Sequence, residues 1–574
     1  MTSDYINFVL CWHMHQPWYQ KGIDGEYQLP WVYLHAIKDY ADMAAHLEAH
    51  PEMKVVVNFA PVLLDQLDDY KNQIGLYLQQ GEPMRDPMLN LLSGVTPIPG
   101  DIEGRYEILK SCQRAHAPRM IDPYPVFRDL LGQVKKIFKG KTENRELWPL
   151  LHYFNDQYFI DVLVWYHLSW LGYSLKQKDT ALELMEKGRL FTNQDRRDLL
   201  QLIFDGIAGL IPRYRKLAEA GQIELSMTPY GHPIIPLLND LANMKCAQPD
   251  APVPNYDSYP DGLQRSRWHI EQGIACFEAH FGMRPKGVWL SEGAISEDSV
   301  RLLDEFGFQW TASGQGVWHN SKQLLEASGV DVDSNKTHFS PFVLNDLNTR
   351  IFFRDDGLSD LIGFEYSKRE HHDAVCDFTH HLANIADFHG DKAHEHVVSV
   401  ILDGENAWEY YPDNAYHFLD QLYGQIVDHK RVRPCVFSEL IHLKSTNPLS
   451  KLCPGSWVYG SFSTWIGQED KNKAWDILIE AKQVFDQFIN SEQLAEIDRI
   501  KATRQMAICE GSDWFWWFGD YNPGASVKDF DQLFRLQLIN LYEILKQPVP
   551  ERLNHPVSSG GGDAENAGTM RRNV

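Results

Sequence analysis

The chain has 574 residues, and its 78 Asp and Glu outnumber 54 Lys and Arg to give a net charge of −24. That excess of anions excludes a partner held through many phosphates, so no nucleic acid is expected, and it favours a small molecule or a neutral polymer. The length suits one large domain with a smaller one beside it, and 17 Trp and 25 Tyr supply rings for core packing or for stacking on sugars.

The start, Met1-Thr-Ser-Asp-Tyr, lacks the basic region and long apolar run of a signal peptide. Residues 5–11 (YINFVLC) read as a strand, and His13 and His15 beyond it fall on one side by strand alternation. Residues 31–50 carry Trp31, Leu34, Ile37, Ala41, Ala44 and Leu47 at helical spacing, and Pro51 stops them. A strand over 53–59 and a helix over 61–70 follow. Residues of roughly 80–215 have no strand signal and read as inserted helices and loops. Their most apolar stretch, 158–175, is interrupted by Asp161, His167 and Ser169, and is expected to be a buried helix, not a membrane span.

Strand-like runs return at 221–227 (GQIELSM), 286–292 (KGVWLSE), 308–313 (FQWTAS) and 396–403 (HVVSVILD), with a Pro-rich loop over 246–260. Ser296 reads as the N-cap of a helix to Phe306, with Glu297 and Asp298 in its first turn. Beyond 415 the pattern is helical and rich in Trp, and the stretch from 556, with Ser-Ser-Gly-Gly-Gly, reads as disordered. The expected division is therefore a catalytic domain over 1–414, a helical domain over 415–550 and a disordered tail over 551–574. The eight Cys include no C-x-x-C pair, so reduced thiols in a cytoplasm are expected.

Alternating strands and helices argue an α/β fold on a parallel sheet, as a (β/α) barrel or a doubly wound sheet. In a barrel the reactive groups lie at the C-terminal ends of strands. Those ends carry His13, His15, Asn58, Glu224, Glu292, Asp403 and Glu405. A strand-end Glu is often merely solvated, and Glu405 also suits the first turn of a helix. Together, two carboxylates among hydrogen-bonding groups are what glycosidic cleavage needs: one acid for the leaving oxygen, one carboxylate for the anomeric carbon. Trp289 and Trp408 beside them offer flat faces for sugar rings.

Five ordered motifs carry a resemblance: His13-Met-His15-Gln-Pro, Gly221-Gln-Ile-Glu224-Leu, Val288-Trp289-Leu-Ser-Glu292, Ile401-Leu-Asp403-Gly-Glu405-Asn-Ala-Trp408 and Gly511-Ser-Asp513-Trp514-Phe-Trp-Trp. With Gly455-Ser-Trp457 and Thr464-Trp465, they resemble glycoside hydrolase family 57 in its α-amylase/amylopullulanase-like branch, from about residue 5 to about 545. The resemblance implies an incomplete (β/α)7 TIM-like barrel with a C-terminal helical domain, and retaining action on α-glucans, with the choice between α-1,4 and α-1,6 bonds left open; no cofactor is expected. It implies Glu292 as nucleophile and Asp403 as general acid/base. His13, His15, Glu224, Trp289 and Asp513 would surround the sugar, with Glu405 and Trp408 nearby, and Trp457, Trp465 and Trp514 would line the outer cleft. Ser291, Ser313-Gly-Gln315 and Tyr521 depart from the family pattern.

Three other readings compete. Transglycosylation uses the same carboxylate pair. A zinc α-mannosidase or polysaccharide deacetylase would use His13 and His15 with Asp403 as ligands. A non-catalytic α-glucan-binding protein would lack Glu292 or Asp403, and both are present. With Pro17 close by and no further His at a strand end, His13 and His15 are expected to contact substrate, since neutral imidazole both donates and accepts. No metal is expected.

Overall fold

The computed structural model describes residues 5–138, 145–330, 336–345, 347–492 and 494–572; residues 1–4, on which the reading of the N-terminus rests, lie outside them. Its strands are β1 (Ile6–Met14), β2 (Val55–Phe59), β3 (Ile223–Met227), β4 (Gly287–Val288), β5 (Trp310–Gly314), β6 (Phe342–Leu344), β7 (Arg350–Arg354), β8 (Val397–Asp403), β9 (Val432–Pro434) and β10 (Asn447–Leu449). Seven of these, in the order β1-β2-β3-β4-β5-β7-β8, run parallel, and β8 pairs back onto β1. The sheet is thus a seven-stranded barrel and not a doubly wound sheet. The closing contacts are uneven: β1 and β8 share seven residue pairs, whereas β7 and β8 share the single pair Arg354–Ser399. Outside the barrel, β6 lies antiparallel on β7 with β10 beyond it, and β9 flanks the start of β1.

Strands buried on both faces must be apolar almost throughout, and β1 (INFVLCWHM) is buried over its whole length. The insertion between β2 and β3 is helical as expected, with its principal helices at Asp156–Trp170 and Asn193–Glu219. The helix read over 31–50 forms as three consecutive pieces, Trp31–His35, Ala36–Tyr40 and Ala41–Ala49, the middle one a π-helical turn. The next helix, Pro61–Gln80, runs ten residues past the expected end and stops at Gly81, whose φ of 75° glycine adopts without strain. Ser296 caps Glu297–Glu305 through a capping box with Ser299. No helix of the described residues is long and apolar enough to cross a membrane.

Four expectations need correction. The sheet does not end at residue 414, because β9 and β10 come from beyond it; the long C-terminal helices begin only at Glu469. The strand read over 286–292 is two residues long. Gly287 faces the Trp310 indole, where a Cβ would sit 1.9 Å from the ring, and the chain then leaves the ladder for a tight turn. Cys246 and Cys453 are joined in a disulfide, with Cα atoms 6.0 Å apart. Finally, the glycine-rich tail is packed. Asp531 accepts from the backbone N–H of Val557 and Ser558, and the Asn522 carbonyl accepts from Gly561 and Gly562. Composition alone could not reveal these partners, which lie 26 to 40 residues earlier in the chain.

Candidate active site

Strand register sets one polar level near the C-terminal mouth of the barrel. His13 of β1 stands opposite Asn58 of β2 and Asp403 of β8, and Asn58 stands opposite Ser226 of β3. Asn58 Oδ1 can only accept, so the 2.7 Å contact from His13 Nδ1 is a donated N–H. His13 Nε2 is then a lone pair, and His232 Nε2, 3.3 Å away, is its donor. His232 Nδ1 is left to accept from Ser512 Oγ at 2.8 Å. Each tautomer follows from the one before it. Burial pushes His13 down to about 3 and His232 well below the usual imidazole range, with the neighbouring histidines adding to both, so these rings are neutral near pH 7.

His15 completes the group. Its ring stacks on His232 with centroids 3.7 Å apart, and its Nε2 meets Asp513 Oδ1 at 2.7 Å. His232 itself has φ of 57°. The strand-end scan missed this residue, because it sits in the Thr228-Pro-Tyr-Gly-His232-Pro turn just after β3 and not at a strand end.

Glu292 reaches the cavity by a different route. After β4 the chain turns through Ser291–Gly293, and Glu292 adopts φ 60° and ψ 24°, strained for a residue with a Cβ. That turn resolves the opposite strand parity of Trp289 and Glu292: Trp289 is buried behind it, with Gly293 against its indole. The Trp457 indole donates to Glu292 Oε2 over 3.0 Å, and the Trp457 backbone N–H donates to the Glu292 carbonyl over 3.1 Å. Ser313, one of the departures from the family pattern, donates to the Gly293 carbonyl over 2.6 Å and braces the same turn.

The carboxylates are held close to neutrality. Burial, then the charges of Asp403 and Asp513, push Glu292 well above the usual range. Burial raises Asp403 to about 6, against the Asn406 amide donating over 2.8 Å. Glu405 is also pushed well up by burial and by Asp403; one oxygen faces the Gln16 amide and the other lacks a hydrogen-bond partner among the described residues.

A cavity of about 640 Å³ opens over these groups. Of the residues singled out in sequence, it brings together His13, His15, Glu292, Asp403, Glu405, Trp457 and Asp513. It does not include Glu224. That side chain has the right parity but lies two residues below Ser226, level with Cys11, where Trp310 Nε1 and the Ser438 N–H donate to it over 2.7 and 3.0 Å. Trp289, Trp408, Trp465 and Trp514 are also outside the lining and buried. Trp408 donates to Gly404 O and Trp514 to Ile508 O, while Trp465 packs on Trp516. The rings that do line the outer cavity are Trp31, Trp170, Trp516, Trp517, Tyr410 and Phe530. Of the described residues, His15, His232 and Asp513 form the one group whose donor atoms, within 4.8 Å of one another, could hold a metal ion, a different trio from His13, His15 and Asp403.

The chain as a whole is similar to known proteins. The model of glycosyl hydrolase family 57 matches residues 9–450. A 1,4-alpha-glucan branching enzyme of Thermococcus kodakarensis is 24% identical over 168 residues, which is 25% of this chain and about a fifth (21%) of that enzyme's length. The crystal structure of a branching enzyme from the same archaeon, in complex with glucose, superposes with a TM-score of 0.55 at 15% identity, covering 95% of this chain and 90% of that one. A branching enzyme from Pyrococcus horikoshii gives 0.54 at 15% identity with full coverage of both chains. The alpha-amylase AmyC from Thermotoga maritima gives 0.53 at 12% identity, covering 96% and 95%. At these identities the superpositions establish a shared fold.

Proposed function

The chain belongs to glycosyl hydrolase family 57, and on that premise we propose that it cleaves α-glucosidic bonds of starch- or glycogen-type glucans by a retaining mechanism. The single observation that carries this reading is the carboxyl pair of Glu292 and Asp403 in one cavity, with the His13 and His15 rings in its lining. Asp403 protonates the glycosidic oxygen while Glu292 attacks the anomeric carbon from the opposite face, forming a glycosyl-enzyme. Asp403, now a base, takes a proton from the incoming hydroxyl, and the C1–Glu292 bond breaks.

The roles require Glu292 ionised and Asp403 protonated. In the free site burial and two neighbouring anions favour the proton on Glu292. As the glycosidic bond breaks, positive charge developing at C1 stabilises the Glu292 anion, to which the Trp457 N–H already donates. The pair therefore needs one shared proton, which Asp403 at about 6 can hold near neutral pH.

A second reading, transfer to a sugar acceptor, is favoured by the aromatic outer cavity, which offers an acceptor apolar faces. Incubation with amylose separates the two. Loss of iodine colour with new reducing ends indicates hydrolysis. Loss of colour with debranching-sensitive α-1,6 points, and few new reducing ends, indicates transfer. An unchanged polymer with no small product would remove the α-glucan reading.

A further inference from the structure

The packed segment 556–572 joins two parts of the protein beside the cavity. On one side it is held by Asp531 and by the Asn522 carbonyl, and Trp516 Nε1 donates to the Gly568 carbonyl over 2.8 Å. On the other it meets the turn after β7: Asn566 Nδ2 donates to the Gly363 carbonyl, and Arg572 pairs with Glu365 at 2.7 Å and with Glu565 of its own segment at 3.2 Å. Between these anchors Ala567 and Thr569 face the cavity, while Met570 is buried. Gly568, at φ 83°, lets the chain turn there.

Arg571 is the next residue. Its guanidinium lies over the rings of Tyr521 and Trp516, 4.4 and 4.8 Å from their centroids, and donates to the Trp516 carbonyl over 3.1 Å. It pairs with no carboxylate among the described residues. Its cation thus ties the segment to Trp516, a ring that lines the cavity.

We propose that segment 556–572 is a strap beside the cleft, in which Ala567 and Thr569 bound the sugar-binding space and Arg571 is a positioning residue that holds the segment against Trp516. A strap of this kind sets how many glucosyl units fit on its side of the cleavage point. This inference rests on the α-glucan reading.

Two experiments on the full chain test it. Thr569→Trp narrows the space beside the strap, so KM for maltoheptaose should rise at least fivefold more than KM for an aryl α-glucoside; equal changes for both, with an unchanged melting temperature, would overturn the bounding role. The second varies the clamp. Arg571→Gln should change the ratio of KM for maltoheptaose to KM for the aryl α-glucoside at least threefold, and Arg571→Lys should return it toward the parent value; a ratio that is the same in all three proteins would overturn the positioning role. A parent protein inert on both substrates would refute the α-glucan reading, whereas an active parent whose variants show no chain-length effect would refute the strap.

Discussion

Trp457 grips Glu292 twice, with its indole N–H on the carboxylate and its backbone N–H on the carbonyl of the same residue. The second bond fixes where the strained turn sits, and the first fixes which oxygen faces the indole. Trp457→Phe removes only the first. A hydrogen bond to a charged group contributes about 1.5–3 kcal/mol, or roughly 1–2 pH units of titration. The acidic limb of kcat/KM should therefore move up by about 1 unit, with activity on that limb falling by up to about tenfold. A pH–rate profile identical to the parent's would show that the indole is only a wall.

Asp403 couples function to stability. Its folded-state value is raised from 3.8 to about 6 by burial, so between those values the native state holds more protons than the unfolded chain, and stability falls as pH rises. The penalty is absent below about 4 and complete above about 6, on the order of 3 kcal/mol by linkage. Asp403→Asn removes that charge. Its melting temperature should exceed the parent's at pH 8, and the gain should shrink steadily toward pH 4; a gain independent of pH would contradict the linkage.

Glu292→Ala should lose turnover by about a thousandfold or more, because no group remains to form the covalent intermediate. Azide can enter the vacated space and attack from the same face, so the product from an α-glucoside should be the β-glycosyl azide. NMR of that product reads the anomeric configuration directly. An α-azide, or no rescue beside full activity of Asp403→Ala on aryl glucosides, would assign the roles otherwise.

Glu224→Gln distinguishes level from parity. Both Glu224 oxygens accept from buried donors, and in the variant one of them is replaced by an NH₂ facing a donor. The expected cost is about 1–3 kcal/mol of stability, read as a lower urea midpoint, with kcat/KM unchanged. A large kinetic loss at unchanged stability would return Glu224 to the sugar site.

For the metal question, His15, His232 and Asp513 offer three donors in the space assigned to the sugar. Exhaustively chelated protein should keep full activity, and added Zn²⁺ should inhibit in competition with maltooligosaccharide. Activity that vanishes on chelation and returns with Zn²⁺ alone would favour the metal-dependent alternative.

The parts legible in sequence were those written as short local patterns. The Ser296 cap, the helix over 31–50 and the uniform burial of β1 each follow from a few adjacent residues. The pairing of His13 with Asn58 and Asp403 follows from strand ends meeting in a barrel. Depth within the barrel did not show, since Glu224 and Ser226 share a face and only cross-strand register separates their levels. Nor did His232, which enters from a turn, or Arg571, which enters from a segment whose Ser-Gly composition suggested no structure. The Trp-rich region was read correctly as aromatic, but indoles alone do not say which face the cavity: Trp457 and Trp516 do, and Trp465 and Trp514 do not.

The barrel is best pictured as a rolled sheet latched along one line. β7 and β8 share one residue pair, reinforced by the Asp355 N–H on the Ser399 carbonyl and by Arg354 donating to the Ile401 carbonyl. Few ladder bonds must break to part them, so local opening costs little there, as it does between β3 and β4, which also share one pair. Asp403 ends β8 and stays paired with His13 of β1, whereas Glu292 follows β4 on the other side of this seam. Inactivation and unfolding thereby become separate events: the seam gives way and the two carboxyls lose their spacing while β1, flanked by β2 and β8, still holds its neighbours together.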